Sequence, residues 1–305
     1  MHPEMVKRGY SSPYSAALPA VAGTLGIIIP PSIVFVIYGS TNGVSISKLL
    51  MSGMLPGILT AVVLCLYGYV VAKKENFPKS FDQFSLKRVL KSLKGAVWAL
   101  MMPLIILGGI YGGIFTPTES AMIACAYGLV VSFFVTKELT VKNFFDVVSK
   151  TAASTANVTV MFLAAQVFGF LIAYYDITTT IANFFVAVSP NWIIFMGLVF
   201  ILLTITGMFM EVGATNVILS PLLAPVAAAF GIDPIHFGMV FVFLLALGQA
   251  TPPFGSTMFI ACGISGERVA AVIRRLLPFV LVEYACALVF AYVPWFSTFL
   301  PSLMA

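Results

Sequence analysis

Two stretches of this sequence carry residue types from which a polar site could be built inside apolar surroundings. They are Gly26-Ile27-Ile28-Ile29-Pro30-Pro31, followed by Ser32, and Gly248-Gln249-Ala250-Thr251-Pro252-Pro253. Proline lacks a backbone donor and clashes with the preceding turn, so a pair of prolines interrupts a helix. Each pair lies within a long, almost uncharged apolar run, where freed carbonyls and amides find no partner in lipid and must bond protein, water or an ion. The chemistry on offer is oxygen coordination. Backbone carbonyls at each break, joined by the hydroxyls of Ser32 and Thr251, suit a hard cation, and Gly26 and Gly248 are expected to supply backbone freedom there. The plainer alternative is that both motifs are proline kinks that serve packing, since Pro and Gly are frequent in membrane helices.

Two carboxylates add to the list. Glu211 lies in the polar tip Gly207-Met208-Phe209-Met210-Glu211-Val212-Gly213-Ala214-Thr215-Asn216, and Glu283 lies within the last apolar segment. Burying an ionisable group in a membrane is costly, so each is a functional candidate. Glu211 reads as an ion-binding or tip-packing residue, with Thr215 and Asn216 either sharing that role or capping the arm that follows. Glu283 reads equally as a structural partner of Arg274 or Arg275. His2 and His236 lack acidic partners at motif spacing and read as surface residues near span ends. Thr118 is expected to cap a helix, with Glu119 in its first turn.

The elements that must position these residues follow from composition. With 60% hydrophobic and 9% charged residues and a mean hydropathy of +1.05, the chain reads as an all-α polytopic membrane protein. The net charge of +5 does not point to nucleic acid, because the basic residues sit in loops between apolar segments. Cys65, Cys125, Cys262 and Cys286 show no metal-ligand spacing and read as small packing residues. No nucleotide-binding glycine loop, metalloprotease helix or nucleophile elbow is present in the sequence, so the chain reads as no enzyme and needs no cofactor beyond a coupling ion.

Residues 14–38 form the first discontinuous span and 48–72 the next. Residues 73–94 hold seven basic and two acidic residues, a linker that the positive-inside rule places in the cytoplasm. Spans at 95–113, 118–135 and 151–175 follow, with 137–150 expected to lie at the inner interface as an amphipathic helix. Residues 191–230 read as a re-entrant hairpin, because the second arm, 217–230, is short for a span and contains Pro221 and Pro225. The second broken span, 236–263, and the last span, 276–297, complete the chain.

The two motifs are also copies of one another. At a constant offset of 222, Pro3 falls on Pro225, Gly9 on Gly231, Gly26 on Gly248, Pro30 and Pro31 on Pro252 and Pro253, and Pro56 on Pro278. The reading is an internal repeat: the C-terminal part of a first repeat (1–72), a linker (73–94) and a second, inverted repeat (95–305). By the same offset the counterparts of residues 95–222 would precede Met1, so roughly 125 further residues are expected upstream. Inverted repeats with paired broken helices point to a secondary transporter. A passive channel or structural membrane subunit is the alternative, and it should show a continuous polar stripe through several spans.

Three stretches carry a family resemblance: Gly23-Thr24-Leu25-Gly26-Ile27-Ile28-Ile29-Pro30-Pro31-Ser32, Gly109-Ile110-Tyr111-Gly112-Gly113-Ile114-Phe115-Thr116-Pro117-Thr118-Glu119-Ser120-Ala121, and Gly231-Ile232-Asp233-Pro234-Ile235-His236-Phe237-Gly238. They resemble the large membrane subunit of tripartite ATP-independent periplasmic (TRAP) transporters. The resemblance implies a multi-pass protein of the bacterial inner membrane, importing a small organic acid with sodium as coupling ion and working as an elevator. Its implied partners are a small TRAP membrane subunit, a periplasmic substrate-binding protein and the lipid bilayer. It further implies hairpin tips that meet the broken helices at sodium sites, so the candidate ligands are Gly23, Gly26, Pro30, Pro31 and Ser32 at the first break. Gly207, Glu211, Thr215, Asn216, Gly248, Thr251 and Pro252 form the second group, with sodium expected on Gly26, Gly207, Gly248 and Thr251. The family's first hairpin has no counterpart in these residues. The tip sequence around Glu211 also departs from the aspartate-threonine-proline of many relatives, which leaves C4-dicarboxylate, sialic acid and sugar acids open as substrates.

Overall fold

The computed structural model describes residues 1–77 and 85–303. Among the described residues the secondary structure is helical: α1 (His2–Lys7), α2 (Ser12–Ile28), α3 (Ile33–Asn42), α4 (Ile46–Lys74), α5 (Leu86–Tyr111), α6 (Pro117–Val130) with a π-helical turn (Val131–Val135), and α7 (Val141–Tyr174). Then come α8 (Ile177–Val188), α9 (Trp192–Phe209), α10 (Val212–Ala229), α11 (Pro234–Gly248), α12 (Ser256–Ser265), α13 (Val269–Tyr292) and α14 (Trp295–Ser302). By length and composition six of these segments could cross a membrane among the described residues, and up to seven if α13 and α14, bent by 64°, count as one. The expected linker residues 78–84 lie outside the described residues.

Contacts divide the chain into two compact units, Met1–Ser80 with Val167–Ala305, and Phe81–Gln166. In the smaller unit α5 packs on α6, and Tyr127 donates its hydroxyl to the Trp98 carbonyl at 2.9 Å. The start of α6 corrects one expectation. Its N-cap is Thr116 rather than Thr118, because Pro117 fits the first helical turn without needing an N–H. Thr116 Oγ1 accepts from Glu119 N–H at 3.3 Å while Glu119 Oε2 accepts from Thr116 N–H at 2.8 Å, a reciprocal capping box. A second correction concerns 137–150. A cap at Thr140 and Asn143 starts α7 at Val141, and the helix runs on to Tyr174 instead of lying as a separate interfacial piece.

The larger unit is built round α11. Every residue of it from His236 to Gly248 is buried, as befits a helix that is apolar on all sides. It packs against α2, α3, α4, α9, α10, α13 and α14. Asp233 caps it by accepting from the N–H groups of Ile235 and His236 at 2.8 and 3.0 Å, with Pro234 in the first turn. Before it, Gly231 adopts φ +74° and turns the chain out of α10. His236 is not a surface residue: it is 1% exposed. Its ring lies 2.8 Å from Ser297 Oγ and 3.2 Å from the Ala291 carbonyl, which ties α11 to the α13–α14 bend. Cys65 and Cys125 are exposed and Cys286 is half-buried, so of the four expected packing residues Cys262 alone is buried.

Candidate functional site

At the first break α2 ends at Ile28, and Ile29 takes the extended backbone (φ −78°, ψ 126°) that a following proline favours. Ser32 then caps α3, its Oγ accepting from Phe35 N–H at 3.4 Å and donating to the Ile27 carbonyl across the gap. The Pro30-Pro31 and Pro252-Pro253 bonds are both cis. At the second break the chain leaves α11 through a tightened turn. The amides of Gln249, Ala250 and Thr251 donate to Ala246, Leu247 and Gly248 at 3.0–3.2 Å. The Gln249 carbonyl accepts from both Thr257 N–H and Thr257 Oγ1, at 3.0 and 2.8 Å, which satisfies one of the orphan amides where α12 restarts.

The hairpin α9–α10 lies between the two breaks. Gly207, near the end of α9, meets Gly248 so closely that a Cβ on Gly248 would stand 2.5 Å from the Gly207 backbone. Gln249 Nε2 donates to the Met210 carbonyl at the tip (3.3 Å), and Ser256 donates to its Oε1. On the other side, Asn216 Nδ2 donates to the Val34 carbonyl of α3 at 2.9 Å, and Asn42 Nδ2 donates to Ser220 Oγ at 2.8 Å. The Asn216 side chain is wholly buried, yet its Oδ1 has no hydrogen-bond partner among the described residues. An orphan acceptor at such a place costs about 1–3 kcal/mol unless something supplies a donor or a positive charge.

The sequence candidates therefore separate. Gly207, Gly248, Thr215, Asn216, Ser32 and Thr251 lie at or against the hairpin and the breaks, whereas Gly23 and Gly26 are helical positions of α2 whose Cβ directions meet no atom within 4 Å. Gly26 and Gly248 do not supply unusual backbone angles, for neither has a positive φ. Gly248 is required by close approach, not by conformational freedom. The hydroxyls are turned to their own backbone: Thr215 Oγ1 donates to Glu211 O and Thr251 Oγ1 to Leu247 O, at 2.9 and 2.7 Å. Glu211 is exposed and caps α10, accepting from Ala214 N–H at 2.9 Å. The arm it opens is a full 18 residues, so Pro221 and Pro225 bend no premature end into it and the argument from a short arm is corrected. Glu283 does not pair with arginine either. Arg275 pairs with Glu75, and Glu283 Oε1 lies 2.6 Å from Thr24 Oγ1.

Sequence reasoning overlooked Gln249 and Tyr284. The first is the only long polar side chain in the second break motif, which was the available signal. Tyr284, whose hydroxyl lies 3.0 Å from Thr251 Oγ1, gave none. The groove of about 690 Å³ beside α2 and α4, bordered by Met5, Leu18, Leu64 and Phe279 with Glu4 and Arg8 at its polar part, is away from the hairpin tip. Among the described residues no three His, Cys, Asp or Glu side chains converge as a metal site. A cation at the hairpin would be held by carbonyl, hydroxyl and amide oxygens.

The chain matches, over residues 1–296, the family described as "Tripartite ATP-independent periplasmic transporter, DctM component". It is 41% identical over 96% of its length to the isethionate TRAP transporter permease protein DctMQ of Oleidesulfovibrio alaskensis, of which it spans 46%. It is 35% identical to the C4-dicarboxylate TRAP transporter large permease protein DctM of Pseudomonas aeruginosa, covering 98% of this chain and 70% of that one. Against the sialic acid TRAP transporter permease protein SiaT of Haemophilus influenzae the identity is 33%, over 97% and 48%. With its apolar helices and broken segments accounted for, the chain belongs to the DctM family of TRAP transporter membrane components, multi-pass proteins of the bacterial inner membrane.

Proposed function

We propose that the chain acts in a sodium-coupled secondary transporter that imports a small organic acid, receiving it from a periplasmic binding protein and working beside a small membrane subunit. The observation that carries this reading is the hairpin's double attachment, to the second break through Gly207–Gly248 and Gln249–Met210 and to α3 through Asn216–Val34. A tip seated between two broken helices gathers backbone carbonyls where half-helix ends also meet, the arrangement that coordinates small cations and anionic substrates in membrane transporters. The unpartnered Asn216 Oδ1 supports a ligand role for that residue. The relatives named for isethionate, C4-dicarboxylate and sialic acid support an organic acid as the substrate class.

In this reading the two repeats are inverted, and the broken helices and hairpin move together as an elevator. The segments 48–72, 95–113 and 276–297 stay fixed against the small subunit. Uptake into proteoliposomes holding the complete complex tests the coupling: it should require both an inward sodium gradient and the binding protein. Uptake that persists without either one sinks the coupling. A cysteine crosslink between Thr215 and Thr251 should leave uptake intact if tip and break travel as one body, and arrest by that crosslink would refute the elevator division.

A further inference from the structure

The geometry points to a proton-binding site at Glu283: the side chain is held as the neutral acid and donates its hydrogen to Thr24. Hydrogen counting supplies the first part of the argument. Thr24 Oγ1 lies 2.7 Å from the Val21 carbonyl oxygen and 2.6 Å from Glu283 Oε1. A hydroxyl has one hydrogen and two lone pairs, and a carbonyl can only accept. If the Thr24 hydrogen goes to Val21, the short contact to Oε1 needs a second hydrogen, which only a protonated Glu283 can bring. If Glu283 were ionised, the single Thr24 hydrogen would have to be shared between the carboxylate and the Val21 carbonyl, a weaker three-centre arrangement at two short distances.

Burial supplies the second part. Glu283 is 0% exposed, and its Oε2 has no hydrogen-bond partner among the described residues. An unpaired carbonyl oxygen at that place costs far less than an unpaired ionised carboxylate, so the neutral form wins. Among the described residues no Lys, Arg or His forms an ion pair with Glu283. The elements packed against α13 are α2, α4, α9, α11 and α12. Lys48, Lys73 and Lys74 stand near the two ends of α4, roughly three turns or more from Thr60, which lies beside Cys286. Arg274 and Arg275 lie about 12–14 Å back along α13 at 1.5 Å per residue, and Arg275 is engaged by Glu75. His236 is bonded near the start of α11; α9 and α12 carry no Lys, Arg or His. The remaining ionisable side chains of these helices are tyrosines and cysteines: Tyr14 on α2, Cys65, Tyr67 and Tyr69 on α4, Cys262 on α12, and Tyr284, Cys286 and Tyr292 on α13.

The site is independent of which ion drives uptake, and its test reads the proton itself. In the complete complex in lipid at pH 7, the infrared difference between the parent and Glu283→Gln should contain the carbonyl stretch of a protonated carboxyl. Thr24→Val, which removes the acceptor while keeping Glu283, should shift that band, so the experiment survives even if the Gln variant fails to assemble. The band should be the same with and without sodium. A difference spectrum showing only carboxylate stretches overturns the proposal, as does a band that Thr24→Val leaves unmoved or that sodium abolishes.

Discussion

The two breaks share a sequence signature but are closed by different neighbours. At the first, four residues separate α2 from α3, and the close approach is to α4: a Cβ on Gly53 would stand 2.5 Å from the Ile28 carbonyl oxygen and 2.5 Å from the Phe35 ring. At the second, seven residues separate α11 from α12, and the close approach is to the hairpin, Gly248 on Gly207. One break is thus seated on a long helix and the other on the tip of a turn. The hydrogen bonds follow the same division. Ser32 bridges its own gap, whereas Gln249 reaches out of its gap to Met210. The second break is the one whose packing depends on where the hairpin sits.

The largest effect should come from testing that dependence directly. Gly248→Val puts branched carbons where even one Cβ overlaps the Gly207 backbone, and backbone cannot swing aside as a side chain can. Overpacking of this kind costs about 1–3 kcal/mol or more, so the variant should lose uptake and unfold at lower temperature. Gly26→Ala, its partner at the 222 offset, meets no atom within 4 Å and gains helix propensity of about 1 kcal/mol. Thermal unfolding of the two purified complexes decides the matter. Equal destabilisation would show that the breaks are closed alike and end the comparison.

Next in size is Gly53→Ala. The Phe35 ring can shift, but the Ile28 carbonyl is backbone, so a loss on the order of 1–3 kcal/mol is expected from thermal unfolding. The same substitution at Gly68, whose nearest neighbours stand 3.9 Å away, should cost far less. Similar losses at the two positions would mean that α4 resists substitution generally and has no particular seat for the first break.

What the sequence made legible was the covalent signature of each break, and little of what lies against it. Proline pairs and N-caps act through their own backbone, so Pro30, Pro31, Pro252 and Pro253 mark where helices stop. Two of the family's recognisable stretches turn out to be such local devices as well: the Thr116–Glu119 capping box, and Gly231 with Asp233 at the turn into α11. Partners remote in sequence leave no periodicity or spacing behind. Asn216 with Val34, Thr24 with Glu283 and Gly207 with Gly248 are set by tertiary packing. The same limit explains the misread residues. Thr118 lost the cap to Thr116 because the proline between them starts the helix, and His236 looked superficial because Ser297 and Ala291 are contributed by a bend far along the chain.

Gln249→Ala should have an intermediate effect. It removes the donor to Met210 and the acceptor for Ser256, about 1 kcal/mol for each bond. Both bonds belong to the second break, so hydrogen exchange should accelerate at the tip, residues 207–216, and not in α3. Faster exchange in α3 as well would mean that the hairpin answers to both breaks as one rigid piece, and the contrast between them would be static only.

The smallest effect should belong to Thr251→Ala, and its smallness is informative. The Thr251 hydroxyl donates to Leu247 O at 2.7 Å and lies 3.0 Å from the Tyr284 hydroxyl. It is therefore already committed to the wall of the second break. If it also contributes an oxygen lone pair to a sodium ion, removing it deletes one ligand among several backbone carbonyls and leaves the rest in place. One such polar contact is worth about 1 kcal/mol, close to fivefold in an affinity. The sodium concentration for half-maximal uptake should rise by about that factor, with maximal uptake largely retained. Thr251→Ser keeps the oxygen and should restore the parent value, while Ser32→Ala at the first break should leave sodium dependence at the second site unchanged. A Thr251→Ala complex with unaltered sodium dependence would remove this hydroxyl from the ligand set and leave the Gly207–Gly248 backbone as the feature on which the second site rests.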